Sequence, residues 1–183
     1  MSKLRVTGGR YVRRRIDCPP GEIRPAMDRM RESLFSILGD LAGASFLDLF
    51  SGSGIIGIEA ASRRASPVVL VEGDAGKRRT ILANIAFVDS EIDLRIMPAE
   101  RYLAAARRRF DYVFLDPPFR YPRKVLLIEQ VEQRKVLAQG GTLLIHHPRG
   151  DDLPERIGGL SRSDVRVYGG SIVDFFRWEV SDR

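Results

Sequence analysis

Two short segments carry residue types that could do chemistry together. Asp116-Pro117-Pro118-Phe119 closes the apolar run Asp111-Tyr-Val-Phe-Leu-Asp116. Each proline fixes φ, removes a backbone donor and holds the residue before it extended, so Asp116 and Pro117 form a stiff turn offering acceptors only. An exocyclic amine conjugated to a π-system has two N–H donors. If the Asp116 carboxylate takes one and the Pro117 carbonyl the other, the amine is oriented and its lone pair can attack a methyl group. Phe119 offers a stacking face for a base, a contact worth about 1–3 kcal/mol in single-strand binders and insensitive to base identity. Taken alone, the tetrapeptide is equally well a turn after a core strand, with Phe119 buried.

The second segment lies upstream. Ser45-Phe-Leu-Asp48-Leu-Phe50 reads as a strand that opens into Ser51-Gly52-Ser53-Gly54-Ile-Ile-Gly57 and then a helix. Gly52, Gly54 and Gly57 form a G-x-G-x-x-G between strand and helix, the pattern of a nucleotide-binding turn. Glu72 ends the next apolar run about 20 residues beyond the glycines, where an acid can accept from ribose hydroxyls. A dinucleotide and S-adenosylmethionine compete for this pattern. Asp48 ahead of the glycines suits a cationic methionine ammonium and would repel a pyrophosphate, and the Asp116 turn fits only the methyl donor.

These segments need a sheet to hold them, and the chain provides one. From Ala44 onward, strand-like runs at 45–50, 67–72, 94–97, 111–116 and 142–146 alternate with helical stretches, including 75–87, 99–109 and 123–137, as in a parallel α/β sheet. Runs 164–168 and 172–178 around Gly169-Gly170-Ser171 predict a terminal antiparallel hairpin. Residues 4–16 predict a short hairpin through Gly8-Gly9, followed by a linker ending near Arg24-Pro25 and a helix whose Met27, Met30, Leu34 and Ile37 are core packing. The expected organisation is a basic hairpin and linker over 1–27 and a Rossmann-like domain over 28–183.

At 183 residues, 44% hydrophobic and 30% charged, the composition is that of an ordinary globular protein. No run approaches the roughly 18 apolar residues of a membrane span, and the N-terminus lacks a secretory signal's apolar stretch, so the cytoplasm is expected. Cys18, the single cysteine, permits no intrachain disulfide. His146 and His147 fall on one strand and face opposite ways, so they do not readily share an ion and read as structural or solvent-facing. No metal is expected. Residues 1–31 hold nine Lys and Arg against three acids, while the remainder holds 21 of each sign. The whole net charge of +6 is thus concentrated at the N-terminus, which suits a phosphate backbone.

Together, Gly8-Gly9-Arg10, Arg24-Pro25, Asp28-Arg-Met-Arg-Glu-Ser-Leu-Phe35, Asp48-Leu-Phe-Ser-Gly-Ser-Gly54, Gly57-Ile-Glu-Ala60 and Asp116-Pro-Pro-Phe119 resemble the bacterial small-subunit rRNA guanine-N(2) methyltransferases, the RsmD-like family, over nearly the full chain. The resemblance implies a class I methyltransferase fold with a mostly parallel seven-stranded sheet. It also implies S-adenosylmethionine as cofactor and methylation, by a monomer, of one guanine 2-amino group in 16S RNA within an assembled or assembling small subunit. It further implies Asp48, Phe50, Ser51, Gly52, Ser53 and Gly54 around the methionine part, Glu72 at the ribose, Ala99 near the adenine, and Asp116, Pro117, Pro118 and Phe119 at the target base. Arg10, Arg13, Arg14, Arg15, Arg24 and Arg120 would meet RNA. Two positions depart from the family pattern: Met97-Pro98-Ala99-Glu100 lacks the acid often found after the third strand, and His146 stands where a fifth-strand acid is frequent. The rivals are an adenine 6-amino DNA methyltransferase, a protein glutamine methyltransferase and a noncatalytic RNA-binding assembly factor.

Overall fold

In the computed structural model, residues 2–19 and 26–179 are described; Arg24 and the linker reading over 20–25 lie outside them. The chain starts with an antiparallel pair, β1 (Lys3–Arg5) and β2 (Arg15–Asp17), and continues into α1 (Ala26–Leu38). Then strands and helices alternate: β3 (Phe46–Leu49), α2 (Ile55–Ser62), β4 (Val68–Glu72), a 3-10 turn (Ala75–Lys77) leading into α3 (Arg78–Ile85), β5 (Ile92–Ile96), α4 (Ala99–Ala105), β6 (Phe110–Leu115), α5 (Lys124–Gln133) and β7 (Leu137–Pro148). Three further strands, β8 (Arg156–Ile157), β9 (Leu160–Tyr168) and β10 (Ser171–Trp178), complete the chain.

The main sheet has the order β5-β4-β3-β6-β7-β10-β9-β8. Its first five strands are parallel, and β10, β9 and β8 join antiparallel. Seven of these strands are those the sequence predicts, and the two-residue β8 extends the edge. Every residue of β3 and β4 is buried, Asp48 and Glu72 included, as happens when helices cover both faces of a parallel sheet. One face packs against α1, α2 and the N-terminal segment through Met30, Leu34, Ile58 and Val6, and the other against α4 and α5 through Leu103, Leu127 and Val131.

All eight residues of α2 are buried, because the N-terminal segment lies over its outer side. Ser62 Oγ donates to the Gly8 carbonyl at 2.6 Å and accepts from Tyr11 N at 2.8 Å, while Arg10 N donates to the Ser62 carbonyl at 2.7 Å. Glu59, wholly buried, accepts from Thr7 N and Oγ1 at 2.8 and 3.0 Å and from Arg63 Nη1 at 2.6 Å. The inner side of α2 meets the sheet closely: a Cβ on Gly57 would fall 2.1 Å from Leu70 Cδ2 and 3.1 Å from Val68 Cγ1. Gly57→Ala should therefore lower unfolding free energy by about 1–3 kcal/mol, the usual range for overpacking. Urea denaturation checks this, with the slope unchanged.

Candidate active site

The carboxyl ends of β3, β4 and β6 open into one cleft, as parallel sheets arrange their ligand sites. Asp48, Phe50, Ser51, Gly52 and Ser53 line it from the first strand end and Glu72 from the second. Asp116, Pro117 and Pro118 line it from the third. The two chemical segments of the sequence thus share a single opening.

The loop after β3 is fixed by its own polar groups. Ser51 Oγ donates to the Asp48 carbonyl at 2.8 Å and Ser51 N to the Val71 carbonyl at 3.0 Å, while Gly54 opens α2. Glu72 receives one backbone N–H on each oxygen, from Gly52 and Asp74, both at 2.8 Å. Its carboxylate is anchored at the rim with acceptor capacity left over, as a ribose contact needs. Asp48 is more unusual. It is 1% exposed, its Oδ2 accepts from Gly57 N at 3.2 Å, and its Oδ1 has no partner among the described residues. Burial pushes its carboxyl well above the usual range, the nearby Asp116 charge adds to this, and the Gly57 N–H opposes it. An unpaired buried acceptor of this kind fits a cationic donor.

Asp116 is held from behind. His146 Nδ1 lies 2.9 Å from Asp116 Oδ1, and the imidazole is buried while the carboxylate stays partly open. With Asp116 as a carboxylate, which only accepts, Nδ1 is the donor, and among the described residues Oδ2 is left for a ligand. Phe119 packs against the His146 ring in an edge arrangement, with centroids 5.3 Å apart. Lys124 Nζ donates to the carbonyls of Phe119 and Tyr121 at 2.7 and 2.9 Å and pairs with Asp151 at 2.7 Å, which pins the turn. Tyr121 packs edge-on against Phe50 at 5.6 Å and hydrogen-bonds Glu100. Burial and then this carboxylate push its hydroxyl up to about 12, so it remains a neutral donor.

Other predicted positions lie outside the cleft lining. Ala99 is buried at the start of α4 and does not line the cleft. Phe119 flanks the opening through His146 without lining it. Arg10, Arg13, Arg14 and Arg15 follow one another around the exposed end of the N-terminal hairpin, where Arg10 meets Asp89 at 3.3 Å and Arg14 lies over Phe87 at 4.8 Å. Arg120 is exposed beside Phe119. The histidine reading needs correction. His147 is structural, with Nε2 3.3 Å from Asp174, but His146 belongs to the site; its place at the fifth strand's end was the available signal. Arg31 also lines the cleft and was given no role. Its spacing from Leu34 and Phe35, both buried, puts it on the inner face of α1. Among the described residues, no cluster of His, Cys, Asp and Glu is placed to hold a metal, and no helix is long and apolar enough to cross a membrane.

Residues 4–177 match the family described as Conserved hypothetical protein 95. Ribosomal RNA small subunit methyltransferase D of Escherichia coli (strain K12) is 32% identical over 172 residues, covering 91% of this chain and 86% of that protein. The solved structure of yhhF from Escherichia coli superposes with a TM-score of 0.88 at 29% identity, covering 97% of this chain and 99% of that one. SMU.776, a structure complexed with SAH, shares the fold at 19% identity and a TM-score of 0.69, covering 84% of this chain and 50% of its own. Matched over nearly its whole length, with the methyltransferase fold and both motifs in one cleft, the chain belongs to the Conserved hypothetical protein 95 family, the RsmD-like methyltransferases.

Proposed function

We propose that this protein methylates the exocyclic 2-amino group of a guanine in small-subunit ribosomal RNA, with S-adenosylmethionine as donor. The observation that carries the reading is the opening shared by Asp48 and Asp116. One is a buried carboxylate with an unpaired oxygen for the cofactor ammonium. The other is a carboxylate whose Oδ2 and neighbouring Pro117 carbonyl suit the two N–H groups of a flat amine.

The cofactor supplies an electrophilic methyl on a sulfonium. Asp48 would hold the amino-acid end, Glu72 the ribose, and the Gly52–Gly54 loop the backbone walls between them. Asp116 and Pro117 turn the amine so that its lone pair leaves conjugation and faces the methyl, and Asp116 takes the proton released. Catalysis comes mainly from orientation, which for well-aligned reactants can replace several kcal/mol of barrier. His146 keeps the Asp116 carboxylate from rotating away. Arg10, Arg13, Arg14 and Arg15, with Arg24, would hold phosphates around the target nucleotide, and Arg120 the nucleotide beside the Phe119 face. A guanine already unstacked in an assembled or assembling subunit avoids the few kcal/mol of extrusion from a helix, so such a particle, met by a monomer, is the substrate we favour.

Incubating the protein with labelled cofactor and unmodified small subunits, then mapping the modified base by mass spectrometry, should find label on a guanine 2-amino group. Label on an adenine would replace this reading with the adenine-methylating one. Asp116→Ala should bind cofactor as the wild type does in calorimetry yet lose turnover by about 10²–10⁴-fold, the range for a positioned proton acceptor. Undiminished turnover in that variant would remove the mechanism.

A further inference from the structure

We infer that Arg31 is the receptor for the carboxylate at the amino-acid end of the cofactor, an assignment that rests on the S-adenosylmethionine reading above. The guanidinium is wholly buried on α1 and lines the cleft that Asp48 also lines. Three contacts fix its plane. Nη2 donates to the Arg5 carbonyl at 2.9 Å and pairs with Asp28 Oδ1 at 2.8 Å, and Nε faces Glu59 Oε1 at 3.4 Å. Nη1, which carries two N–H donors, has no partner among the described residues.

A purely structural role for Arg31 leaves this arrangement unexplained. Glu59 already receives Thr7 N, Thr7 Oγ1 and Arg63 Nη1 at 2.6–3.0 Å, and the Arg31 contact is the longest it makes. Neutralising Glu59 therefore does not call for a second buried guanidinium. Among the described residues, the cleft instead holds a buried carboxylate oxygen without a donor, on Asp48, and a buried guanidinium nitrogen without an acceptor, on Arg31. This acceptor and this donor, of opposite charge and in one opening, match an α-amino acid, with its ammonium on Asp48 and its carboxylate on Arg31. Among the described residues, Lys77 is the other cation in the cleft, but it lies 3.8 Å from Glu72, at the ribose end. Because the Arg31 fork is held before any ligand arrives, little side-chain freedom is lost on binding. The same guanidinium holds the Arg5 carbonyl, and Leu4 and Cys18 also line the cleft. The hairpin carrying the basic turn is thus one wall of the cofactor site.

The test is calorimetric titration of the full chain with S-adenosylhomocysteine and with the same thioether bearing an aminopropyl group, which keeps the ammonium and lacks the carboxylate. The wild type should bind the second ligand about 10–100-fold more weakly, the range for a hydrogen-bonded charge. Arg31→Gln should bind both alike, and Lys77→Ala should keep the full discrimination. Equal binding of both ligands by the wild type overturns the role of Arg31 while leaving the cofactor reading intact, whereas failure of both to bind contradicts that reading itself. Loss of discrimination in Lys77→Ala transfers the role to Lys77. That comparison decides the matter even if Arg31→Gln does not fold.

Discussion

Three carboxylates, Asp48, Glu72 and Asp116, converge on one opening at the ends of adjacent strands, and their mutual repulsion is the constraint around which the site is built. Each is tolerated through a different partner: Gly57 N–H for Asp48, two backbone N–H groups for Glu72, and the His146 imidazole for Asp116. Lys77 stands 3.8 Å from Glu72, whereas the one hydrogen bond on the Asp48 side chain comes from a neutral N–H, so the Asp48 end of the cleft favours a ligand rich in donors or a cation. Asp48 shows the strain most clearly. An acid raised above its unfolded value is stabilising to the fold while protonated, and that contribution is lost as pH rises from the unfolded value through the raised one. A cation against its open oxygen reverses the shift.

The basic end of the chain is joined to this site by polar contacts as well as apolar ones. Glu59 and Ser62 lie on a helix with no exposed face, and both direct their side chains to the N-terminal segment. Asn84 on α3 adds a further tie, accepting from Asp17 N at 2.9 Å and donating to the Asp17 and Ser53 carbonyls at 2.9 Å. One amide thereby links the hairpin to the cofactor-side loop. Residues that would meet RNA and residues that would meet the cofactor are therefore parts of one hydrogen-bonded body, which gives RNA docking a structural route to the cleft.

Much of this was legible in the sequence because parallel strands advertise themselves. Val68–Val71 and Val113–Leu115 are uninterrupted apolar runs, Phe46–Leu49 is broken only by Asp48, and Asp48, Glu72 and Asp116 fall where the sheet places its ligands. The connection before β7 was not. Arg123 to Leu137 has a helical pattern with glycines beyond it, yet α5 stops at Gln133, Lys135 adopts φ 53°, and β7 begins at Leu137. Gly140, at φ 77°, sits in a bulge within that strand, where pairing jumps from Phe110↔Leu137 to Tyr112↔Thr142. No local periodicity announces such a jump. Arg31 and His146 escaped for a related reason: their partners Glu59 and Asp116 are distant in sequence, so only the folded sheet brings them together.

The central claim is that Asp48 is a buried acid that ionises fully when a cation arrives. Titrating S-adenosylhomocysteine into the wild type and Asp48→Asn, in buffers of different ionisation heat across the weakly acidic to neutral range, measures the protons exchanged on binding. The account predicts that the wild type releases a larger fraction of a proton than the variant, and that the variant binds at least about tenfold more weakly, as loss of a hydrogen bond between charged groups implies. Identical proton exchange and identical affinity in the two proteins would contradict it.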